Sequence, residues 1–216
     1  MAVAWPGCRT DVGRIGRSMG HLSIQPGKVS WMSLDGSDSI ELSIAESAKV
    51  PPSFDVYGTG RLEIGPYAVL EEGGAVFLGA SGKGHVRLRA RSYVKRGAIL
   101  RTYEGRIEVG RRTTIGEMSV IAGHGGVTFG DDVIVSAFCY FNSADHIRMS
   151  PDYAVRFQGE TAAGIAVREG AWIGTHCTVL DGVDIGPHST LGAHSLLSTN
   201  TEANSTYAGV PARRLN

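Results

Sequence analysis

Net charge, paired cysteines and long apolar runs are all missing from this sequence, and each absence narrows what the protein can be. Its 21 basic residues are balanced by 21 acidic ones, so no global field argues for a nucleic-acid partner or a membrane surface. The three cysteines, Cys8, Cys139 and Cys177, are odd in number and form no CxxC. That speaks against a disulfide framework and against a zinc knuckle. No apolar run approaches the ~20 residues a membrane span needs. The opening MAVAWPGCRT lacks the charged stretch and apolar core of a secretory leader. From these absences the expected location is the cytoplasm, with no membrane insertion.

Glycine, by contrast, is plentiful: 30 of 216 residues, about double the usual share. It is too scattered for collagen or a flexible linker. Such a composition suits a fold with many tight turns, because glycine accepts φ > 0 at little steric cost. The length suits a single domain over residues 1–216 with a buried core.

A six-residue repeat organises the chain. From Val167 an aliphatic residue returns at every sixth position, at Ile173, Val179, Ile185, Leu191 and Leu197. Four places after these sit Ala171, Cys177, Val183, Ser189, Ser195 and Thr201. An earlier tract keeps the rule at Val109, Ile115 and Ile121, slips by two residues, and resumes at Phe129, Val135 and Phe141. Ile64, Leu88, Val94 and Leu100 continue it more loosely. A period of six is neither the 3.6 of a helix nor the alternation of a half-buried strand. It predicts short strands joined by turns, three to a triangular coil, with aliphatic residues inside and small ones at the corners. One coil cannot cover its own apolar face, so coils must stack as a parallel β-helix. Spacing alone does not set the handedness. A generic β-sandwich with chance periodicity is the competing architecture, and six consecutive in-phase hexads argue against it. Residues 147–164 break the period, carry Pro151 and are polar, so they are expected to loop out of the prism. Residues 1–50 repeat weakly and are expected to form an irregular N-terminal cap.

The tract AWIGTHCTVLDGVDIGPHSTLGAHSLLSTN followed by YAGVPAR resembles the hexapeptide-repeat acyltransferases. It is most similar to the sugar O-acetyltransferases of galactoside and maltose type and to the xenobiotic acetyltransferases. The resemblance is close over 129–213 and architectural before that. It implies a left-handed β-helix, acetyl-CoA as acyl donor without a metal, and a homotrimer with active sites between prisms. The acceptor would be a sugar or other saccharide hydroxyl. An amino sugar or antibiotic amine, or a non-catalytic scaffold, are the alternatives.

In that family the catalytic histidine ends a hexad before a protruding loop, and FNSADHIRMSPD places His146 there. An imidazole titrating near neutral pH serves as general base for a hydroxyl, typically worth about 10²–10⁴-fold. An exposed turn histidine is the plainer reading of the same residue. Asp145 is the expected orienting carboxylate, with Asn142 and Glu160 as further candidates. Trp172 matches a tryptophan beside the family's reaction centre; its alternative role is to pack a corner against the next coil. His85, His124, His176, His188 and His194 are expected at solvated turns, with His176 bordering the donor path.

The resemblance puts Gly174, Thr175, Ala193, Ser198, Thr199 and Arg213 on that path. Arginine suits phosphate because its fork donates two hydrogen bonds. Thr199 stands where the family often has lysine, leaving that contact to Arg214. Where the galactoside-type enzymes carry an acceptor-binding asparagine, this chain has Gly116 followed by Glu117, so Glu117 and Asn142 are the acceptor-binding candidates. Lys83 to Arg112 holds ten basic and two acidic residues. They form either the solvated outer face of strands or an electrostatic lure for an anionic acceptor. A zinc-dependent carbonic anhydrase on the same prism would need histidines five residues apart. The positions five before and after His146 are Phe141 and Pro151.

Overall fold

Over residues 40–215, the part that the computed structural model describes, each hexad becomes a strand of two to five residues and a tight corner. Successive coils pair in parallel and build sheets of seven, eight and seven strands. These are the three faces of an all-β, left-handed β-helix of about eight turns. The first face runs from Ile40–Ile44 to Asp184–Ile185, and the third from Asp55–Tyr57 to Leu196–Leu197. The second runs from Val69–Leu70 to Thr206–Gly209 and is closed by Ala212–Arg214, which pairs antiparallel.

The expected cap falls largely on residues 1–39, outside the described part. Residues 40–50 already follow the helix. Ile40–Ile44 pairs in register with Gly60–Ile64, and Lys49 bridges Val69.

The repeat positions from Val167 to Leu197 are at most 1% exposed. Small residues occupy the narrow vertices, and the residue before many of them takes a left-handed turn: Arg112 (φ 56°) before Thr113, Met118 (54°) before Ser119, Phe138 (61°) before Cys139 and His176 (57°) before Cys177. Such φ values are uncommon for residues other than glycine, yet here they recur at corner after corner. The vertex hydroxyls of Thr113 and Ser119 are satisfied, as most buried hydroxyls are, whereas that of Ser92 has no partner among the described residues. Thr113 Oγ1 donates to the Gly130 carbonyl at 2.6 Å and Ser119 Oγ to the Ser136 carbonyl at 3.1 Å.

The two-residue slip has a simple cause. Val109 pairs with Phe129 and Val167 with Ile185, so the coil is 20 residues long there (109 to 129) and 18 later (167 to 185). The extra pair lengthens the first-face strands, where Ile107 and Val109, and Val127 and Phe129, all point inward. An insertion of two preserves strand alternation, whereas one residue would turn the apolar set to solvent.

The protruding loop leaves at the corner between third and first faces. Its root is a short antiparallel pair, Asp145–His146 with Glu160–Thr161. Gln158 fastens the interior: its Oε1 accepts from the Met149 and Ser150 N–H groups, and its Nε2 donates to the Ser150 and Tyr153 carbonyls. Asp181, on the next coil, accepts from the Ala163 and Gly164 N–H groups and from Thr161 Oγ1, securing the return. Among the described residues, no helix is long and apolar enough to cross a membrane.

Candidate active site

His146 ends the first strand of the loop root, with Glu160 directly across from it. Cross-strand partners project on the same side, and His146 Nδ1 lies 3.3 Å from Glu160 Oε1. Asp145, the expected orienter, faces elsewhere because neighbours along a strand point to opposite sides. One of its oxygens accepts from the His146 backbone N–H at 2.8 Å, and the other lies 3.5 Å from the Arg148 guanidinium. Asn142 braces the turn into the site, its Nδ2 donating to the Ala144 carbonyl at 2.7 Å.

One coil upstream on the same corner is a residue that hexad reasoning passed over. His124 was expected to be solvated; instead it is half-buried and stacked on Tyr103, centroids 3.4 Å apart at 20°. Burial lowers its pKa below the ordinary value, and the His146 charge adds to this while Glu160 opposes it. Its Nδ1 is buried with no hydrogen-bond partner among the described residues. Nothing in GHGG distinguishes it, since its neighbours come from other coils. His85 is likewise engaged, 2.8 Å from Glu63, and His176 stacks between Phe138 and His194 along another corner.

Trp172 stands half-exposed on the second face, paired in register with Ile134 and donating from Nε1 to Ser136 Oγ at 3.3 Å. In a triangular prism that face lies opposite the corner holding His146, so one chain does not bring the two together. Gly174, Thr175 and Ala193 follow one another up the second–third corner, so closely that a Cβ on Gly174 would lie 2.6 Å from the Ala193 nitrogen. Arg213 extends this line on the closing strand, opposite Ala208. Ser198 and Thr199 are exposed on the corner of His146, two coils beyond it. The donor candidates thus flank the last coils of the third face. Arg214 holds Glu202 at 2.6 Å.

Glu117 lies at the second–third corner 3.0 Å from Lys95, and its backbone N–H and that ammonium hold its carboxyl below the ordinary range. Gly116 has a steric reason to be glycine: a Cβ there would come within 2.4 Å of the Ser136 carbonyl carbon.

The basic segment is mostly neutralised by neighbours. Arg89 meets Glu108, Arg111 meets Asp131 and Arg112 meets Asp132, while Arg87, Lys95, Arg96 and Arg106 also face carboxylates. Exposed pairs of this kind stabilise by ~0.2–1 kcal/mol each. They make the segment a laced outer face, which removes the case for a bulk electrostatic lure.

No family model matches the chain. It is 27% identical over 114 residues to a probable acetyltransferase of Mycobacterium tuberculosis, covering 53% of this chain and 38% of that protein. It is 29% identical over 113 residues to the galactoside O-acetyltransferase of Escherichia coli, covering 52% of this chain and 54% of the relative. The matches therefore span about half or less of these curated relatives. A hexapeptide-repeat acetyltransferase of Vibrio cholerae, crystallised with acetyl-CoA, superposes with a TM-score of 0.55 at 26% identity, over 61% of this chain and 69% of that one. In sequence and in fold, the chain resembles the hexapeptide-repeat acetyltransferases.

Proposed function

We propose that this protein transfers an acetyl group from acetyl-CoA directly to a hydroxyl of a saccharide acceptor, with His146 as general base and Glu160 as the carboxylate that orients it. The observation that carries this reading is the His146–Glu160 pair at the root of the loop, on the corner that also exposes Ser198 and Thr199. With Nδ1 turned to Glu160, Nε2 is the nitrogen left to take a proton. As the acceptor oxygen bonds to the thioester carbonyl carbon, its proton passes to Nε2. When the C–S bond breaks, that proton passes to the departing thiolate, leaving ester and free CoA. Holding acceptor and donor side by side supplies much of the remaining rate without a covalent enzyme intermediate.

The complete site in this reading lies between copies of a homotrimer. Support comes from what one chain leaves open: the His146 side chain is 55% exposed, and Trp172 lies on the opposite face. The loop also presents Met149, Tyr153 and Phe157 to solvent, and the second face presents Ile134 and Trp172. Apolar groups gathered this way mark contact surfaces, and seating the loop of one copy on the second face of the next would bring His146 to a neighbour's Trp172. Arg213, beside the Gly174–Ala193 corner, is the candidate for the donor's phosphates.

The test is thiol release from acetyl-CoA against a panel of sugars, nucleotide sugars and amine-bearing antibiotics. Release that depends on both acceptor and His146 is the expected result; no release with any acceptor overturns the reading.

A further inference from the structure

Arg101 is the one half-buried arginine of the basic segment. Arg91, like it, lacks a carboxylate partner among the described residues and lies over a ring, 5.9 Å from the Tyr67 centroid, but Arg91 is exposed. Arg101 ends the third-face strand Ile99–Arg101 and has no carboxylate partner among the described residues. Aromatic rings hold it instead: its guanidinium carbon lies 4.3 Å from the Phe77 centroid and 5.7 Å from that of Tyr103. Phe77 is stacked on Tyr57 at 4.8 Å, and Tyr103 on His124 at 3.4 Å. An unbroken run of rings with one guanidinium set into it thus leads along the prism to the corner of His146 and Glu160. Register fixes the spacing. Arg101 pairs with Ala122 and Ala122 with Asn142, so two strand spacings, ~10 Å, separate Arg101 from the strand that leads into His146.

The geometry points to an acceptor subsite for an anionic saccharide: Arg101 binds its carboxylate or phosphate, Tyr103 and its neighbours receive the sugar face, and the target hydroxyl reaches His146. This assignment rests on the acyl-transfer reading and adds the class of acceptor. A guanidinium held between rings keeps its planar fork oriented, and partial burial strengthens the bidentate bonds it offers an anion. A neutral sugar would leave that fork unanswered. The donor's phosphates are assigned elsewhere, since the donor candidates lie on coils after His146 and Arg101 lies on a coil before it. The ~10 Å interval places the anionic group beyond the reacting ring, on a linked phosphate or on a second sugar.

Three probes separate the sources: UDP-glucose for phosphate, a glucuronic-acid-terminated disaccharide for carboxylate, and lactose as the neutral reference. Calorimetric titration measures binding, and thiol release measures transfer, for the full chain and its Arg101→Met, Arg101→Lys, Arg87→Met and His146→Ala variants. At least one anionic probe should bind more tightly than lactose. Arg101→Met should weaken that binding by about 10–100-fold, the scale of a lost charge-assisted contact, and raise the acceptor KM while changing kcat little. Arg101→Lys should recover part of the loss, which also shows that the position tolerates change. Arg87→Met, which removes a cation already facing Glu63, should bind like the parent. His146→Ala should bind the anion and fail to transfer.

Equal binding of lactose and both anions overturns the subsite, as does anion binding that survives Arg101→Met. An increase confined to the KM for acetyl-CoA also overturns it, and moves Arg101 to the donor. Arg101-dependent anion binding without transfer to any acceptor leaves the subsite standing and sinks the acyl-transfer reading alone.

Discussion

Glu160 faces His146 across the root of the protruding loop, its Oε1 3.3 Å from the imidazole Nδ1. In the proposed mechanism this relation, rather than the adjacency of Asp145, orients the base. His146→Ala should reduce acyl transfer by about 10²–10⁴-fold with an unchanged circular-dichroism spectrum. Glu160→Gln should cost about 10–100-fold in kcat, the usual scale for a supporting partner. Asp145→Asn should cost less than Glu160→Gln. The reverse order would return the orienting role to Asp145.

The proposed intersubunit site makes a complementation prediction. His146→Ala and Trp172→Ala proteins, each impaired alone, should regain transfer when unfolded together and refolded as a mixture. Some mixed trimers then contain a site with both residues intact. Mixtures as inactive as their components, or a monomeric mass in solution, would place the whole site within one chain.

Burial holds the pKa of His124 below its ordinary value of 6.5, so the unfolded chain takes up a proton at a higher pH than the folded one. The resulting stability is fully present above ~6.5 and is lost as pH falls from there toward the folded value. Thermal midpoints should therefore fall on acidification below that point. His124→Phe, which keeps a ring against Tyr103, should flatten the decline; an unchanged pH dependence would rule out this contribution.

Gly116→Asn restores the residue type that galactoside-type relatives carry, but its Cβ would sit 2.4 Å from the Ser136 carbonyl carbon. Forced overpacking of this kind typically costs about 1–3 kcal/mol. Denaturant unfolding should register a loss in that range and no gain of galactoside acetylation. A neutral effect on stability would show that the corner can open.

In the core, Phe129 and Phe141 meet edge to face at 5.1 Å and 75°, and both are at most 1% exposed. Phe141→Ala should cost about 3–5 kcal/mol, read from the shift in denaturant midpoint. A loss below ~1 kcal/mol would mean that the adjoining coils collapse into the space.

The sequence determined which residues face inward. Every aliphatic hexad position named from it is buried, because strand alternation and a corner every six residues are local properties of the backbone. It also marked where the loop departs, since the period stops there. Tertiary structure alone decided the neighbours. Glu160 reaches His146 only because the loop returns as an antiparallel strand. His124 joins them through coil stacking, and Trp172 is carried to the opposite face by the order of the three sides. The same stacking leaves most arginines of the basic segment paired with carboxylates, an exposed Arg91 over Tyr67, and a half-buried Arg101 held between rings. Contacts between coils about twenty residues apart depend on coil length and register, which a six-residue pattern constrains on average but does not specify at any one position.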